Sequence, residues 1–278
     1  MPVRARWPSW PSGQWSASSR RRGTTRAARC PTGGDLLTTG PGHGTGGRLD
    51  PVDPAAPPRA GEPARAALVT LVGRGITWTG WPTPDASARP AAVLMLFGTL
   101  DRVPARHRTA AVPADLDVLL VGRATTLSHH PGQVSFPGGR IDPGDRGPVE
   151  AALREAVEET GLDPAGVEVL GTLGHLPVPV SNHAVTPVLA WWARPSPVAV
   201  VDPGESATVF RAPVADLLDP ANRRTAVVSR RRATHRSPAF LVADHLVWGF
   251  TALVLDRLFD ELGWTEPWDQ TRTVEPLR

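Results

Sequence analysis

Phe136-Pro-Gly-Gly-Arg-Ile-Asp-Pro-Gly-Asp145, followed by Leu153-Arg-Glu-Ala-Val-Glu-Glu-Thr-Gly-Leu162, is the stretch on which the fold and the chemistry turn. Pro148 suits the first turn of a helix and Gly161 the left-handed residue after its last, so the spacing predicts a helix over Pro148–Thr160. On it Glu155, Glu158 and Glu159 stand at i, i+3 and i+4, on one face and directly behind a glycine-rich loop. Carboxylates so placed repel one another by a few tenths of a kcal/mol per pair. A hard divalent cation relieves that repulsion, because Mg²⁺ prefers carboxylate oxygens, water and substrate phosphates. The pattern therefore points to metal-assisted chemistry on a phosphorylated substrate.

Working outward, residues 1–62 read as a disordered tail and residues 63–278 as one folded domain. The tail sets Trp7, Trp10 and Trp15 among Pro, Ser and Arg, then runs through Gly- and Pro-rich segments without helical or strand period. Such a segment buries too little apolar surface to offset its ordering entropy. An anion-binding arm through Arg20–Arg22 is a second reading of it. A transit peptide is a third, against which the prolines argue. Beyond the tail, Ala64–Val72 has helical spacing, and Ala91–Phe97, Leu116–Arg123, Val167–Leu173 and Val185–Trp192 read as strands. Asp202–Leu218 is expected to hold a short helix. Ala226–Val228 and Phe240–Val242 are expected to pair around an arginine cluster. His245–Leu262 reads as one long amphipathic helix stopped by Gly263. Strands and helices mix without a βαβ period, which makes the class α/β or α+β with a mixed sheet.

Composition narrows the function. All 30 basic residues are arginine. Seven of them, and no acid, fall within residues 1–30, so the net charge of +3 for the chain becomes −4 for the remainder. The folded part is mildly acidic, so the high isoelectric point of the whole chain is no argument for nucleic-acid binding. Cys30 stands alone, which excludes an intramolecular disulfide. No apolar run approaches the roughly 18 residues of a membrane span. The expectation is a soluble cytoplasmic protein with a small-molecule substrate, no nucleic-acid or membrane partner, and a possible homodimeric state.

Arg154-Glu-Ala-Val-Glu-Glu-Thr-Gly-Leu162 resembles the second half of the Nudix box, G-x5-E-x7-R-E-U-x-E-E-x-G-U with U aliphatic, at every fixed position. In the first half Asp145 stands where the family has Glu, with eight rather than seven residues before Arg154. That variant is similar to the coenzyme A diphosphatase subgroup. A second subgroup signature, roughly L-L-x-x-R-[SA]-x3-R-x3-G-x3-F-P-G-G, is matched by Leu119-Leu120, Arg123-Ala124, Gly132 and Phe136-Pro137-Gly138-Gly139, with Ser128 in place of the second arginine. The likeness continues through Val180–Pro187, Pro203–Glu205, Leu217–Pro220 and His245–Ala252. It implies a Nudix fold, a mixed sheet sandwiched between helices (α/β/α). It also implies a Mg²⁺- or Mn²⁺-dependent diphosphatase that cleaves coenzyme A, an acyl-CoA or a related nucleotide diphosphate.

The resemblance implies Glu155, Glu158 and Glu159 as metal ligands, with Glu155, Glu159 and Arg154 catalytic. Arg123, Gly138 and Gly139 are the candidate binding residues, the Gly138 carbonyl among the metal ligands and Glu205 a further carboxylate. Taken alone, an Arg-Glu-x-x-Glu-Glu helix is more often a salt-bridged surface, in which Glu150 pairs with Arg154. His129, His130, His175 and His183 follow no zinc spacing. Arg230, Arg231, Arg232 and Arg236 read as a solvated loop, and also as a contact for a nucleotide 3′-phosphate. Trp191, Trp192 and Trp248 read as core, or as a face on which adenine stacks.

Overall fold

The computed structural model describes residues 61–276, apart from 79–80, 82, 84, 100–103, 125–131 and 231–232. The expected tail lies almost wholly outside the described residues, as do Ser128, His129, His130, Arg231 and Arg232. None of the described helices is long and apolar enough to cross a membrane.

The described residues form seventeen short helices, turns and strands, with runs of strands set between the helices. Helix α1 (Glu62–Arg74) leads into β1 (Arg89–Thr99), β2 (Leu116–Arg123), β3 (Val134–Ser135) and β4 (Gly138–Arg140). Helix α2 (Pro148–Thr160) follows, then a 3-10 turn at Pro164–Gly166, β5 (Val167–Thr172), β6 (Leu176–Val178) and β7 (His183–Trp192). β8 (Ser206–Pro213) runs into α3 (Val214–Leu218), and β9 (Arg223–Arg230), β10 (Ala233–Val242) and β11 (His245–Val247) precede α4 (Phe250–Leu262) and β12 (Thr273–Val274).

The first eight strands form one mixed sheet whose main path is β3-β2-β1-β7-β5, with β8 on β2, β4 on β1 and β6 on β7. Its centre is β1, parallel to β7 over the register Arg89↔His183 to Phe97↔Trp191 and antiparallel to β2 and β4. Successive side chains of a strand point to opposite faces, and the central strands are apolar on both. Ala92, Leu94, Leu96, Leu119, Val188, Ala190 and Trp192 face one way, against Ala151, Ala152 and Ala156 of α2. Met95, Phe97, Val118, Leu120, Leu189 and Trp191 face the other, against Leu68 and Leu71 of α1 and Val254, Leu255 and Leu258 of α4. That is the expected α/β/α sandwich. The alanine stripe on α2 brings its backbone close to the sheet, which fixes where its glutamates can stand.

Three readings need correction. Asp202–Leu218 holds a full strand, β8, as well as the short helix α3; its Ser-Ala-Thr-Val-Phe-Arg sequence alternates too weakly to announce itself, and pairing with β2 decides it. The arginine-cluster hairpin runs from Arg223 to Val242, with Ala226 opposite Ser237 rather than the Phe240 segment. His245–Leu262 is not one helix. Ala243 and Asp244 both take positive φ, 47° and 62°, a two-residue hairpin turn that pairs His245–Val247 with β10. Gly249, at φ 70°, then starts the helix at Phe250. Together β11-β10-β9-β12 make a second, four-stranded sheet that the sequence reading lacked.

Candidate active site

Helix α2 has the expected bounds. Gly161 takes φ 68° and ψ 18° and gives its N–H to the Val157 carbonyl, closing the last turn. On the sheet side of α2, between the buried alanines, stand Glu155 and Glu159. β4 crosses beneath them, its Gly139 paired with Ala92 and its Gly138 with Val93. Both glycines are dictated by close approach. A Cβ on Gly139 would fall inside the carboxylate of Glu155, and one on Gly138 would meet the Ala92 carbonyl oxygen and lie 2.7 Å from Val93 Cα.

Glu159 Oε2 accepts the Gly138 N–H at 3.0 Å. Burial nevertheless pushes its pKa up to about 7; the Gly138 bond and the Arg123 charge pull down, while Glu155 and Glu205 push up further. Glu155 is raised as well, chiefly by burial, against the pull of Arg154. Two carboxylates are therefore held partly out of water, each disfavouring the other's charge.

Arg154 is the hub beside them. Its Nε and Nη2 grip Asp145 Oδ1 and Oδ2 at 3.1 and 3.0 Å. Nη1 reaches Glu155 Oε1 and Glu158 Oε2, each at 3.1 Å, and Nη2 also reaches the Arg140 carbonyl at 3.0 Å. All five guanidinium donors are thereby accounted for, so this arginine holds carboxylates and the β4 exit in place. Asp145, which stands where the family motif has Glu, is its bidentate partner, and that contact holds the Asp145 carboxyl below its usual range. Glu150 pairs with Arg146 instead, at 3.1 Å, so the imagined Glu150–Arg154 bridge is absent. Glu158 is the most exposed of the three glutamates and turns toward Arg154.

No group of three or more His, Cys, Asp or Glu side chains among the described residues forms a ready-made metal cage. Mg²⁺ does not ask for one: it is bound through one or two carboxylates, keeps several waters, and takes the rest of its shell from substrate phosphates. The donor set fits such an ion. Glu155 and Glu159 are carboxylate oxygen donors held over a turn that leaves no room for a side chain, with Arg154 bonded to only one oxygen of Glu155. Arg123 at the end of β2 is close enough to act on Glu159, and its buried Nε has no hydrogen-bond partner among the described residues. Glu205 adjoins it, its carbonyl accepting the Ala124 N–H at 2.9 Å.

The other candidates fall elsewhere. His175 is exposed and His183 lies at the start of β7. Trp191 and Trp192 are buried on opposite faces of the sheet. Trp248 is partly exposed. Arg236 projects from the second sheet. A cavity of about 610 Å³ lies along the outer face of α2, lined by Pro148, Val149, Leu153, Val157 and Pro164, and it touches neither Glu155 nor Glu159. What the sequence did not offer was Arg140 and Arg89 as neighbours of His183, since nothing in linear spacing joins residues so far apart.

A carboxylate-bearing helix held over a glycine turn on a mixed sheet suits a metal-assisted hydrolase of phosphoric anhydrides. The NUDIX domain model matches residues 105–235. An uncharacterized Nudix hydrolase, NudL, of Photorhabdus laumondii is 36% identical over 145 residues, 52% of this chain and 76% of that protein. Its namesake in Shigella flexneri is 36% identical over 177 residues, 62% of this chain and 91% of that one. Among solved structures, the NUDIX domain of Shewanella oneidensis NrtR, complexed with ADP ribose, aligns at 20% identity and TM-score 0.35, covering 54% of this chain and 85% of that one. The chain belongs to the Nudix superfamily. It is a Nudix hydrolase acting on a nucleoside diphosphate derivative, and enzymes of this family generally use divalent metal ions.

Proposed function

We propose that the substrate is coenzyme A or one of its thioesters, cleaved at the diphosphate with Mg²⁺ or Mn²⁺ to give 3′,5′-ADP and 4′-phosphopantetheine or its acyl form. The observation that carries this reading is Arg123. It is the arginine of the coenzyme A signature, it acts electrostatically on Glu159, and its buried Nε lacks a partner among the described residues. A buried donor without a partner is costly, and a diphosphate oxygen beside Glu159 satisfies it.

The geometry supports the following roles. Glu155 and Glu159, with Glu158 at the solvent edge, are the carboxylates that hold the metal. When bound, that ion neutralises phosphoryl charge and acidifies coordinated water. Glu155 is the candidate for orienting the attacking water. Glu159 is kept in place by the Gly138 N–H. Arg154 is a positioning residue, since its donors are spent on Asp145, Glu155, Glu158 and the Arg140 carbonyl. Gly138 and Gly139 let the main chain approach the phosphates, and phosphoryl transfer asks mainly for such positioning and electrostatics.

The test is hydrolysis of coenzyme A with Mg²⁺ or Mn²⁺, products separated by chromatography and identified by mass, with Glu159→Gln in parallel. The expected result is 3′,5′-ADP from the wild type and a loss of two orders of magnitude or more in the variant, roughly the cost of displacing reacting groups by an ångström. Coenzyme A left intact while another nucleoside diphosphate derivative is cleaved overturns the substrate and keeps the family.

A further inference from the structure

Arg89, Arg140 and His183 come together on one face of the sheet although 94 residues separate the first from the last. Arg140 is opposite Ala91 in the β4–β1 ladder, Arg89 precedes Ala91 by two residues, and His183 is the register partner of Arg89 on β7. Paired residues and residues two apart share a face of a sheet. Strands lie about 4.8 Å apart and i, i+2 positions about 6.6 Å apart, so the three side chains rise from a patch small enough to converge on one anion. Gly138, two residues before Arg140, shares that face, the one turned away from α2, and its N–H, lying in the plane of the sheet, reaches Glu159 of α2.

The patch is built, and it lacks counter-charge. Arg89 Nη2 donates to the Ser181 carbonyl at 2.9 Å, His183 Nδ1 meets the Ser181 hydroxyl at 2.9 Å, and the Arg89 N–H bonds the Asn182 carbonyl at 2.9 Å. Asn182 itself takes φ 51° and donates to the Ser87 carbonyl at 3.3 Å. Those bonds fix the turn and, among the described residues, leave most of the Arg89 fork and the far nitrogen of His183 uncommitted. Among the described residues no carboxylate pairs with Arg89, Arg140 or His183. The crowding registers on His183, whose pKa is lowered by burial and then by the charges of Arg89 and Arg140. Like charges gathered without an acid are a cost to the fold that an anionic ligand removes.

We infer that Arg89, Arg140 and His183 form a second anion subsite beside the diphosphate site, one that takes a phosphate monoester carried by the substrate. Resting on the coenzyme A reading, that group is the ribose 3′-phosphate. Arginine forks suit it because they give two charge-assisted bonds to one phosphate. The arginine cluster of the β9–β10 hairpin, which the sequence offered for this role, belongs to the second sheet; the β1–β4–β7 patch adjoins the glycine turn itself.

The test compares kcat/KM for coenzyme A and for 3′-dephospho-coenzyme A, which differ only in that phosphate, in the wild type, Arg140→Gln and Arg89→Gln with Mg²⁺ present. The wild type is expected to prefer coenzyme A by about tenfold or more, as charge-assisted hydrogen bonds allow, mostly through KM. Each variant is expected to bring the ratio toward one. Variants that slow both substrates equally and keep the ratio, or a wild type without preference, overturn the subsite. If the wild type cleaves neither compound, the coenzyme A reading fails, and calorimetric binding of adenosine 3′,5′-bisphosphate against 5′-AMP decides the subsite alone. A preference for the bisphosphate that Arg140→Gln abolishes supports it, and equal affinities refute it.

Discussion

Adjacent glycines in one strand should give opposite phenotypes when each is replaced by alanine. At Gly139 the three nearest neighbours of the added methyl all belong to the carboxylate of Glu155, with Oε2 at 2.7 Å, and the backbone there needs no unusual φ. The end of a flexible side chain moves aside at little cost. The Glu155–Arg154 bond at 3.1 Å is lost, but about 0.4–1 kcal/mol returns from the stiffer unfolded chain. Gly139→Ala should therefore stay folded, with Tm within a few degrees of the wild type, yet lose about 100-fold in kcat, because Glu155 is no longer in place. At Gly138 the methyl meets the Ala92 carbonyl oxygen, Val93 Cα at 2.7 Å and Val93 Cγ1 at 2.9 Å, from a φ of 156°. Backbone of the central strand cannot swing away. Overpacking of about 1–3 kcal/mol and backbone strain of about 1–2 kcal/mol sum to roughly 2–5. At about 2–4 °C per kcal/mol for a chain this size, Tm should fall by about 10 °C. Thermal unfolding by circular dichroism and steady-state turnover with Mg²⁺, run on both variants, decide the matter. A Gly139→Ala enzyme with wild-type kcat refutes the placement of Glu155 over the turn and its role together; equal losses of Tm refute the distinction between side-chain and backbone neighbours.

Two further predictions concern buried charge. Arg223 is fully buried between the rings of Phe240 and Trp268, each 4.5 Å from its guanidinium carbon, and pairs with Asp256 of α4. Asp256→Ala strands that cation and should cost about 3–5 kcal/mol, whereas Arg223→Met with Asp256→Leu should be near neutral; a double variant as unstable in urea as the single one contradicts this. Asp117, at the start of β2, has its pKa pushed up to about 7 by burial, against the pull of Arg211 and with Asp115 and Asp216 adding to the rise, and its Oδ1 has no hydrogen-bond partner among the described residues. The folded value exceeds the ~3.9 of an unfolded aspartate, so its contribution to stability is full below pH ~4 and is lost as pH rises through about 7. Asp117→Asn should accordingly gain on the wild type in Tm between pH 5 and pH 8, and a difference independent of pH would falsify the assignment.

What the sequence disclosed and what it withheld divide along the range of the interactions involved. Helix α2 was legible to the residue because its signals are local: a proline for the first turn, a glycine for the cap, and alanines at helical spacing on the buried face. β2 was nearly as legible, since Val118–Val121 is an apolar run in the middle of a sheet covered on both sides. β8 was not, since its weak alternation becomes a strand only through pairing with β2. The misread start of α4 has the same origin, because positive φ at Ala243 and Asp244 is imposed by the β10–β11 ladder on residues that do not favour it. At the site, the glutamates could be named from their spacing, while the partner of Arg154 could not. Glu150 and Asp145 were both within reach in sequence, and the loop that returns Asp145 beneath the helix selects it.

The same division explains why the two halves of the proposed substrate grip differ in visibility. Chemistry at the diphosphate needs groups within a few ångströms of one another and of a metal, and one helix with the loop before it can supply most of them, so they appear as a contiguous motif. A phosphate on the ribose only has to be met a short distance away, by cations of the right number and spacing. A sheet can gather those from any strands whose registers coincide. Here the parallel β1–β7 register sets His183 beside Arg89, and the antiparallel β4 return sets Arg140 two positions along. Slipping β4 by one residue would send Arg140 to the α2 face and Gly139 to the opposite one, opening the proposed metal cradle and dispersing the basic patch in a single step. The Gly138-Gly139-Arg140 order thus ties the two features to one register. A substitution that shifts β4 should degrade turnover and phosphate discrimination together, whereas Arg140→Gln should separate them.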